Sequence, residues 1–342
     1  MASRRPELIL LVPGLAAELP GMEAPGFPWP ETPGLDRLLS RARQAPGPSH
    51  PYDAVFGLLT DGVQGPDWPA AAPSYLADTG REPPGPLLRA DPVHLRADPV
   101  RLRLFDASAL AIRAEEAEAL ACAFNEAFDA EGLRLETACP ERWYLHLPSP
   151  ERIEAQAPRD LLGRPVDDCL PRGSRAWAPF LNEIQMLFHA HEVNRRREAE
   201  GRPVINSLWP WGGGEMPQPR AGVLAGVWTD DAIARGLAIL AGVTESPTPV
   251  DAEAWRATAG EGRHLVWLDG LAAAAGQGHV ESWLAALSTL EETWFKPLSG
   301  MLGRGRLASL KLWSCNSKSH EITMITYWNV FKPSRHFSRN LR

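Results

Sequence analysis

The sequence predicts an α/β protein: a sheet flanked by helices, with an inserted α+β subdomain. Three apolar runs, at residues 8–12, 221–228 and 264–268, have the length and composition of buried strands. Helical patterns separate them, as expected when strands and helices alternate along a chain. A central block breaks this alternation. The expected division is a core of residues 1–95 and 216–342 and an inserted subdomain of residues 96–215.

The first strand is expected at residues 8–12, where five apolar residues follow Pro6 and Glu7. Residues 13–86 are rich in proline and glycine, which favours a long irregular segment. A short helix is predicted within it at 33–43, because proline suits the first turn of a helix and Pro33 stands there.

Later elements follow from helical and alternating periodicity. A helix at 113–130 places Leu120, Phe124 and Phe128 on one face, with Gly132 just past its end. The remaining predicted helices are 177–200 and 280–299. The remaining predicted strands are 133–136, 142–147, 306–313 and 321–328.

The amino-acid composition argues against some classes of function. The chain has 342 residues, 44% of them hydrophobic and 23% charged, as in a water-soluble globular protein. Its net charge of −7 argues against a nucleic-acid binder, although segment 311–342 is basic and is expected to be a solvated tail. The four widely spaced cysteines favour reduced thiols in the cytoplasm. We expect no membrane segment, because the apolar run at 8–12 is too short.

Residues 189–214 form the most informative stretch. It starts with His-Ala-His, continues through three consecutive arginines and ends in Trp-Pro-Trp and three glycines. A guanidinium can donate two parallel hydrogen bonds to a phosphate or carboxylate, and glycine lets a ligand approach the backbone. The pattern therefore predicts an anion site. The alternative is a polar helix end beside tryptophans that pack the subdomain against the core.

This stretch resembles the corresponding part of the archaeal-type phosphoglycerate mutases, which are metal-dependent, cofactor-independent members of the alkaline-phosphatase superfamily. The segment LRADPVHL at 88–95 is similar to a mutase-like bacterial family, the RpfE-type regulatory proteins. The resemblance implies an alkaline-phosphatase-like core, an insertion that caps it and a regulatory role in a bacterial cytoplasm. Fold-level resemblance leaves the activity itself open.

The resemblance also implies a ligand set. In the mutases a histidine–x–x–asparagine–x–x–arginine pattern lies on the substrate side, and a tryptophan- and glycine-rich pattern follows it. An arginine near the LRADPVHL segment contacts substrate there, although a surface ion pair of Arg89 with Asp91, or of Arg96 with Asp98, is the simpler alternative. The implied ligand-binding residues are Arg89, Asp91, His191, Asn194, Arg197, Asn206, Gly212 and Gly214.

We expect these residues to converge in one cleft. Arg197 is expected to face solvent, so that its replacement by alanine would weaken the binding of an anion about tenfold or more and leave the fold intact.

The superfamily's two-metal chemistry requires several Asp and His ligands and a serine or threonine nucleophile. Pro13 stands where the resemblance places the first metal-binding aspartate, and alanines fill positions 272–275 of a later ligand motif. Asp269 and His279 remain of that motif, and Ser49 is the nearest candidate nucleophile. We therefore expect no metal cofactor, with an altered manganese or zinc site as the alternative.

Three functions remain open. The first is a non-catalytic regulatory protein that binds a small anionic, phosphorylated metabolite, with or without a protein partner. The second is an active mutase or phosphatase with an altered metal site. The third is a pseudoenzyme that acts through its surface alone. Neither a serine-hydrolase GxSxG nor a phosphate-binding GxGxxG or GxxxxGK[ST] motif follows a strand.

Overall fold

The computed structural model describes residues 5–24, 26–63, 65, 67–99, 101–328 and 335–338. Contacts within the chain divide it into two compact units. Unit 1 comprises Met1–Gly62 and Pro219–Arg342, and unit 2 comprises Val63–Gln218.

The strands are β1 (Glu7–Leu11), β2 (Arg43–Pro46), β3 (Leu87–Ala97), β4 (Leu102–Phe105), β5 (Arg134–Cys139), β6 (Arg142–His146), β7 (Ile153–Glu154), β8 (Arg172–Gly173), β9 (Ser207–Trp211), β10 (Gly226–Trp228), β11 (Thr244–Ser246), β12 (Arg263–Trp267), β13 (Ser309–Trp313) and β14 (Lys318–Thr323). The α-helices are α1 (Pro33–Arg41), α2 (Pro51–Leu59), α3 (Ala71–Thr79), α4 (Ala114–Phe128), α5 (Trp177–Ala190), α6 (Glu192–Ala199), α7 (Ala232–Leu240), α8 (Ala252–Thr258), α9 (Gly270–Gly276), α10 (Val280–Leu290), α11 (Lys296–Gly303) and α12 (Met324–Tyr327).

Unit 1 contains a sheet of seven strands among the residues described, in the order β11-β10-β12-β1-β13-β14-β2. The first five run parallel, β14 is antiparallel to β13, and β2 is antiparallel to β14. Parallel neighbours need crossover connections, and helices provide them here. The predicted class, a mixed α/β fold with a sheet flanked by helices, is confirmed.

Strand β1 lies near the middle of this sheet and is covered on both faces, which explains why it reads as a continuous apolar run. Leu8 and Leu10 belong to a core cluster that also contains side chains of α1, α8, α10 and α11. On the opposite face, the ring of Tyr52 from α2 lies 5.9 Å from that of Trp267 on β12.

Unit 2 is built on an antiparallel sheet in the order β4-β3-β6-β5, with β9 also paired to β3. One face packs against α4 and α5, whose Phe124 and Phe188 join Trp143 of β6 in a buried cluster. On the other face Tyr75 of α3 contacts Leu87 and Tyr144. Residues 63–95, which the sequence analysis assigned to the core, belong to unit 2, because β3 forms its hydrogen bonds with β4, β6 and β9.

Several local predictions are confirmed. Strand β1 and helix α1 lie within two residues of their expected bounds, and Pro33 occupies the first turn of α1. Helix α4 ends at Phe128 and passes through a 3₁₀ turn to Gly132. Gly132 has φ +68°, a left-handed conformation that favours glycine.

Other predicted elements are wrong in extent. The helix expected at 177–200 is interrupted at His191, whose ψ of 143° is extended. The strand expected at 321–328 ends at Thr323, because the Thr323 side chain caps α12 by accepting from the Thr326 amide. Strand β10 covers residues 226–228 of the expected 221–228, and the helix expected at 280–299 contains a π-helical turn at Glu291–Phe295.

No disulfide joins any two of the four cysteines, all of which lie in the described part of the chain. In the part of the chain that the structure describes, no helix has both the length and the apolar character needed to cross a membrane. Of the basic tail, residues 329–334 and 339–342 lie outside the described residues. Lys311 is not simply solvated, because its Nζ lies 2.7 Å from the Glu321 carboxylate on the neighbouring strand.

His264 is a buried histidine of unit 1 whose protonation would destabilise the fold. It is 2% exposed between the rings of Trp228 and Trp255. Its Nε2 lies 3.0 Å from the carbonyl oxygen of Gly260, while Nδ1 has no hydrogen-bond partner among the residues described. Burial lowers the pKa of His264 below its ordinary value of 6.5, because a charged ring there would lack an acceptor for its second proton.

We predict that the free energy of unfolding falls as the pH decreases below about 6.5, and that His264→Phe makes this fall shallower. The sign follows because the unfolded chain binds a proton at a pH where folded His264 does not. Urea unfolding at pH 7.5 and 5.5 measures the difference, with exposed His279→Gln as the control. An unchanged pH dependence in His264→Phe would contradict the assignment.

Candidate functional site

Arg89 and Asp91 form a buried ion pair on one face of β3. Alternate residues of a strand point to the same side, so these two side chains lie next to each other. Arg89 Nε donates to Asp91 Oδ1 at 2.9 Å, and the indole Nε1 of Trp211 donates to Asp91 Oδ2 at 2.7 Å. The two residues are 7% and 6% exposed, so the alternative of a surface ion pair is wrong.

Burial and the neighbouring charge have opposite effects on the pKa of Asp91. Burial raises the pKa of Asp91, and the Arg89 charge and the Trp211 hydrogen bond lower it without fully offsetting the burial, so the pKa of Asp91 lies above its ordinary value. The Arg89 guanidinium carbon lies 5.8 Å from the centre of the Tyr144 ring and 5.4 Å from that of Trp211. Aromatic faces attract a guanidinium at this range.

A second charge network lies beside the first and was missed by the sequence analysis. Arg142 on β6 donates to both carboxylate oxygens of Asp78 on α3, at 2.8 and 2.7 Å. The Tyr144 hydroxyl donates to Asp78 Oδ2 at 2.7 Å, and burial raises the pKa of Tyr144. Asp78 and Arg142 are 64 residues apart, so no local pattern could have indicated this pair.

The glycines after β9 serve a close approach between segments of unit 2. Gly212 has φ +66°, and its carbonyl oxygen accepts from the Ala71 amide at 2.8 Å. A Cβ atom on Gly212 would lie 2.8 Å from the Cβ of Ala70, closer than real Cβ atoms come. A Cβ on Gly214, which has φ +139°, would lie 2.8 Å from the Cβ of Pro69. Glycine at both positions therefore fits packing of the chain against itself.

His191 and Asn194 stabilise the turn between α5 and α6. Nδ1 of His191 accepts from the Val193 amide at 3.2 Å and so caps α6, and burial lowers the pKa of His191. Asn194 is 1% exposed and donates to the carbonyl oxygens of Phe188 and Ile205, each at 2.8 Å. The Ile205 amide donates back to Asn194 Oδ1 at 2.9 Å, which joins α6 to the segment before β9.

Arg197 is fully buried, so the expectation that it faces solvent is wrong. Its Nη1 donates to Glu116 Oε2 at 2.7 Å, its Nε donates to the Pro203 carbonyl oxygen at 2.7 Å, and its Nη2 donates to the Leu110 carbonyl oxygen. Burial raises the pKa of Glu116, but hydrogen bonds from Arg202 and Arg113 and the charge of Arg197 outweigh it, so that pKa lies below its ordinary value.

Asn206 bridges to β3 at the far end of the β3–β9 pair. Its Oδ1 accepts from the Leu95 amide at 2.7 Å and its Nδ2 donates to the Leu95 carbonyl oxygen at 2.8 Å. The side chain thus imitates one more rung of the antiparallel ladder. These two hydrogen bonds use both the oxygen and the nitrogen of the Asn206 side-chain amide, as expected of a structural residue.

Strand register separates the implied ligand-binding residues into two groups. Arg89 is opposite Trp211, and Val93 is opposite Ser207. Asn206 is five residues from Trp211, which at about 3.3 Å per residue places the two ends about 17 Å apart. Arg89, Asp91, Gly212 and Gly214 belong to one end, and His191, Asn194, Arg197 and Asn206 to the other. The prediction of a single cleft is therefore wrong.

In unit 1, the carboxyl ends of the parallel strands carry acidic and aromatic side chains. Asp231 follows β10, caps α7 by accepting from the Ala234 amide at 2.9 Å, and accepts from the Tyr52 hydroxyl at 3.2 Å. Asp269 follows β12 and accepts from the Trp267 indole at 3.3 Å. The Tyr52–Asp231 contact was missed by the sequence analysis, although carboxyl ends of parallel strands are where α/β sheets bind ligands.

The donor set at this edge does not fit a two-metal centre. Pro13, after β1, has no side-chain donor, and the alanines at 272–275 lie within α9. His279 directly precedes α10, and Ser49, two residues before α2, donates to Asp53 at 2.9 Å. Throughout the described residues, no group of three or more His, Cys, Asp or Glu side chains could hold a metal ion.

Comparison with known proteins relates part of the chain to one class of enzyme. No family model matches the sequence. The chain is 35% identical over 92 residues to the 2,3-bisphosphoglycerate-independent phosphoglycerate mutase of Methanothrix thermoacetophila, covering 25% of this chain and 24% of the relative. It is 32% identical over 124 residues to that of Methanosarcina barkeri, covering 34% and 30%. The chain thus spans about a quarter to a third of these relatives.

The PH0037 protein of Pyrococcus horikoshii aligns with a TM-score of 0.53 at 14% identity, covering 94% of this chain and 88% of that one, and shows the fold. A cofactor-independent phosphoglycerate mutase from Thermoplasma acidophilum aligns with a TM-score of 0.41 at 18% identity, covering 93% and 90%. A phosphoglycerate-mutase-like relationship is thus supported for part of the chain by its sequence.

We predict that Arg197→Ala lowers the free energy of unfolding by about 3 kcal/mol or more, because it leaves two buried carbonyl oxygens without donors and removes one of the cations at Glu116. The exposed Arg196→Ala on the same helix is the matched control and should change stability by less than about 0.5 kcal/mol. Urea unfolding measures both. Equal midpoints for the parent and Arg197→Ala would contradict a structural role.

Proposed function

We propose that this chain is a phosphoglycerate-mutase-like regulatory protein of the RpfE type that does not carry out the mutase reaction. The observation that carries the proposal is the end of β1 in unit 1. Pro13 and Gly14 follow the strand where metal-dependent relatives need a carboxylate ligand, and the alanines of α9 follow β12. Without those donors the sheet edge has too few ligands to hold two metal ions against a transferring phosphoryl group.

The sequence similarity supports the mutase-like ancestry in this proposal. The matched relatives are phosphoglycerate mutases by name, and the similarity covers a quarter to a third of this chain. The regulatory role rests on the resemblance of residues 88–95 to the RpfE-type proteins. Within unit 2, these residues lie on β3, the strand to which β4, β6 and β9 are all hydrogen-bonded.

We predict no turnover of 3-phosphoglycerate to 2-phosphoglycerate, with or without added manganese or zinc. An assay coupled to enolase measures it, and a cofactor-independent phosphoglycerate mutase serves as the positive control. Elemental analysis should find metal well below one equivalent per chain. Two bound equivalents, together with turnover that a chelator abolishes and added metal restores, would overturn the proposal.

The second candidate is a phosphatase or mutase with an altered manganese or zinc site. The hydroxyl of Ser49 just before α2 favours it, because it donates a hydrogen bond to Asp53 at 2.9 Å, which would orient it. Hydrolysis of p-nitrophenyl phosphate that is lost in Ser49→Ala would support this candidate. Hydrolysis that persists in Ser49→Ala would point to a contaminating enzyme.

For the proposed ligand, a small phosphorylated anion, we assign Arg89 as the donor in preference to Arg197. Arg197 is fully buried, and each nitrogen of its guanidinium donates to the protein. Both Arg89 nitrogens that contact Asp91 donate to the same oxygen, and the pKa of this carboxyl group is raised by burial. The glycine-rich turn after β9 lies at the same end of the strand pair.

We predict that 3-phosphoglycerate or inorganic phosphate raises the melting temperature at low salt. Arg89→Lys should weaken this binding about tenfold, because lysine keeps the charge but loses the planar fork. Arg195→Lys on the exposed face of α6 is the control. Calorimetric titration gives the affinities. The assignment fails when Arg89→Lys binds as tightly as the parent, or when no phosphorylated compound stabilises the parent.

A further inference from the structure

Three exposed apolar side chains lie together in unit 1, where β14 ends. In the described part of the chain, the large apolar residues that are exposed are Met186, Ile239, Val250, Met324, Ile325 and Trp328. The first three are isolated along the chain, whereas the last three belong to α12 and the residue after it. Ile325 is 84% exposed and Trp328 is 58% exposed. Single exposed apolar residues are normal, but a contiguous group of them indicates a surface that another molecule covers.

This apolar group is presented by a helix that is anchored from behind. Residues three and four apart are neighbours on a helix, so Ile325 and Met324 both lie beside Trp328. Tyr327, on the opposite side of α12, is buried, and its hydroxyl forms a hydrogen bond of 2.9 Å with Ser299 of α11. The exposed apolar face is therefore part of a packed helix.

Three arginines lie around α12. Nη1 of Arg5 lies 3.4 Å from Sδ of Met324. Nη1 of Arg41 donates to the Tyr327 carbonyl oxygen at 2.5 Å, and its guanidinium carbon lies 5.2 Å from the centre of the Tyr327 ring. Arg304 is exposed at the end of α11, the helix against which α12 packs. None of the three forms an ion pair with a carboxylate among the residues that the structure describes.

Strand direction places these residues at one edge of the sheet of unit 1. Strands β1, β2 and β13 run in the same direction, and Arg5, Arg41 and Arg304 each precede the start of one of them. Strand β14 runs the opposite way, so α12, which follows it, lies at that same edge. The carboxyl ends of the parallel strands, where α/β sheets bind ligands, form the opposite edge. A molecule that covers α12 would leave the carboxyl ends of these strands accessible.

We propose that the α12 surface, which comprises Met324, Ile325, Trp328 and the three arginines, docks on an anionic lipid bilayer. Negative headgroups complement cations that no neighbouring carboxylate neutralises, even though the whole chain carries a net charge of −7. A guanidinium can donate two parallel hydrogen bonds to a lipid phosphate. Tryptophan is favoured at the membrane–water interface, because its ring is apolar and its N–H is polar. A second copy of this surface is a poorer partner, because two sets of arginines would face each other.

Sedimentation of the full-length protein with lipid vesicles tests the proposal. We expect binding to vesicles of phosphatidylglycerol mixed with phosphatidylcholine, and at least tenfold weaker binding to vesicles of phosphatidylcholine alone. Salt at about 0.5 M should weaken the binding to the anionic vesicles, because it screens exposed charges. Equal binding to both kinds of vesicle, or binding to neither, would overturn the proposal.

Apolar variants test whether α12 enters the bilayer. Ile325→Ser and Trp328→Ala should each weaken binding to the anionic vesicles about tenfold and leave the midpoint of urea unfolding unchanged, because both side chains are exposed. The matched control is Val250→Ser. Val250 is 81% exposed and follows β11, at the opposite edge of the sheet. Vesicle binding as tight as that of the parent in both α12 variants would refute the assignment.

Charge variants test the arginines separately. Arg5→Gln combined with Arg304→Gln should weaken binding to the anionic vesicles at least tenfold, because each cation near the bilayer surface contributes to binding. Arg101→Gln combined with Arg134→Gln removes the same charge from exposed positions of unit 2 and should leave binding unchanged. Equal losses in the two double variants would show an effect of net charge alone and would contradict a localised docking surface.

An acidic protein segment is the other partner that arginines beside an exposed tryptophan suit. A polyglutamate peptide represents it in a titration under the same conditions. Binding to the anionic vesicles supports the proposal whether or not the peptide also binds. Binding of the peptide by a protein that does not sediment with any vesicle would overturn it in favour of a protein partner.

Discussion

Neutralisation of buried guanidinium groups is the constraint on which unit 2 depends. A guanidinium stays charged at any ordinary pH, so each buried arginine needs an anionic or carbonyl partner inside the protein. Arg89 has Asp91, Arg197 has Glu116 together with two carbonyl oxygens, and the half-buried Arg142 has Asp78. The Arg142 and Arg197 pairs join β6 to α3 and α6 to α4, and the Trp211 hydrogen bond to Asp91 joins β9 to β3. Removing one partner of such a contact would leave the other unpaired, so each contact fixes the relative position of two elements.

The same constraint explains why the ligand motif was interpretable only in part from sequence. The pattern of His191, Asn194 and Arg197 has the donors that an anion needs, and donors of this kind equally suit backbone carbonyl oxygens. What decides between the two uses is the position of Glu116, which is 81 residues from Arg197. A local sequence pattern holds no information about a contact over that separation. The strand register that separates Arg89 from Asn206 is likewise a property of the β3–β9 pairing.

Where local interactions decide, the sequence was sufficient. Strand β1 and helices α1 and α4 follow from apolar periodicity, an N-terminal proline and a C-terminal glycine. The break at His191 was not predictable from periodicity, because α5 continues its apolar stripe up to Phe188 and α6 resumes a helical pattern one residue after the break. The break depends on Asn194, whose hydrogen bonds to Phe188 and Ile205 stabilise a turn there. Hydrogen bonds from a side chain to distant backbone groups can override the local preference of the chain for a continuous helix.

The turn after β1 is packed closely against the helices α9 and α10. Gly14 has φ +82°, and a Cβ there would lie 2.9 Å from the Leu271 backbone, so the turn is pressed against α9. Its carbonyl oxygen holds the Trp283 indole on α10. A carboxylate at Pro13 would have to be solvated or metal-bound at a position that is now buried. The contacts of Gly14 thus involve the backbone of α9 and an indole of α10, and they fix the turn after β1 by packing.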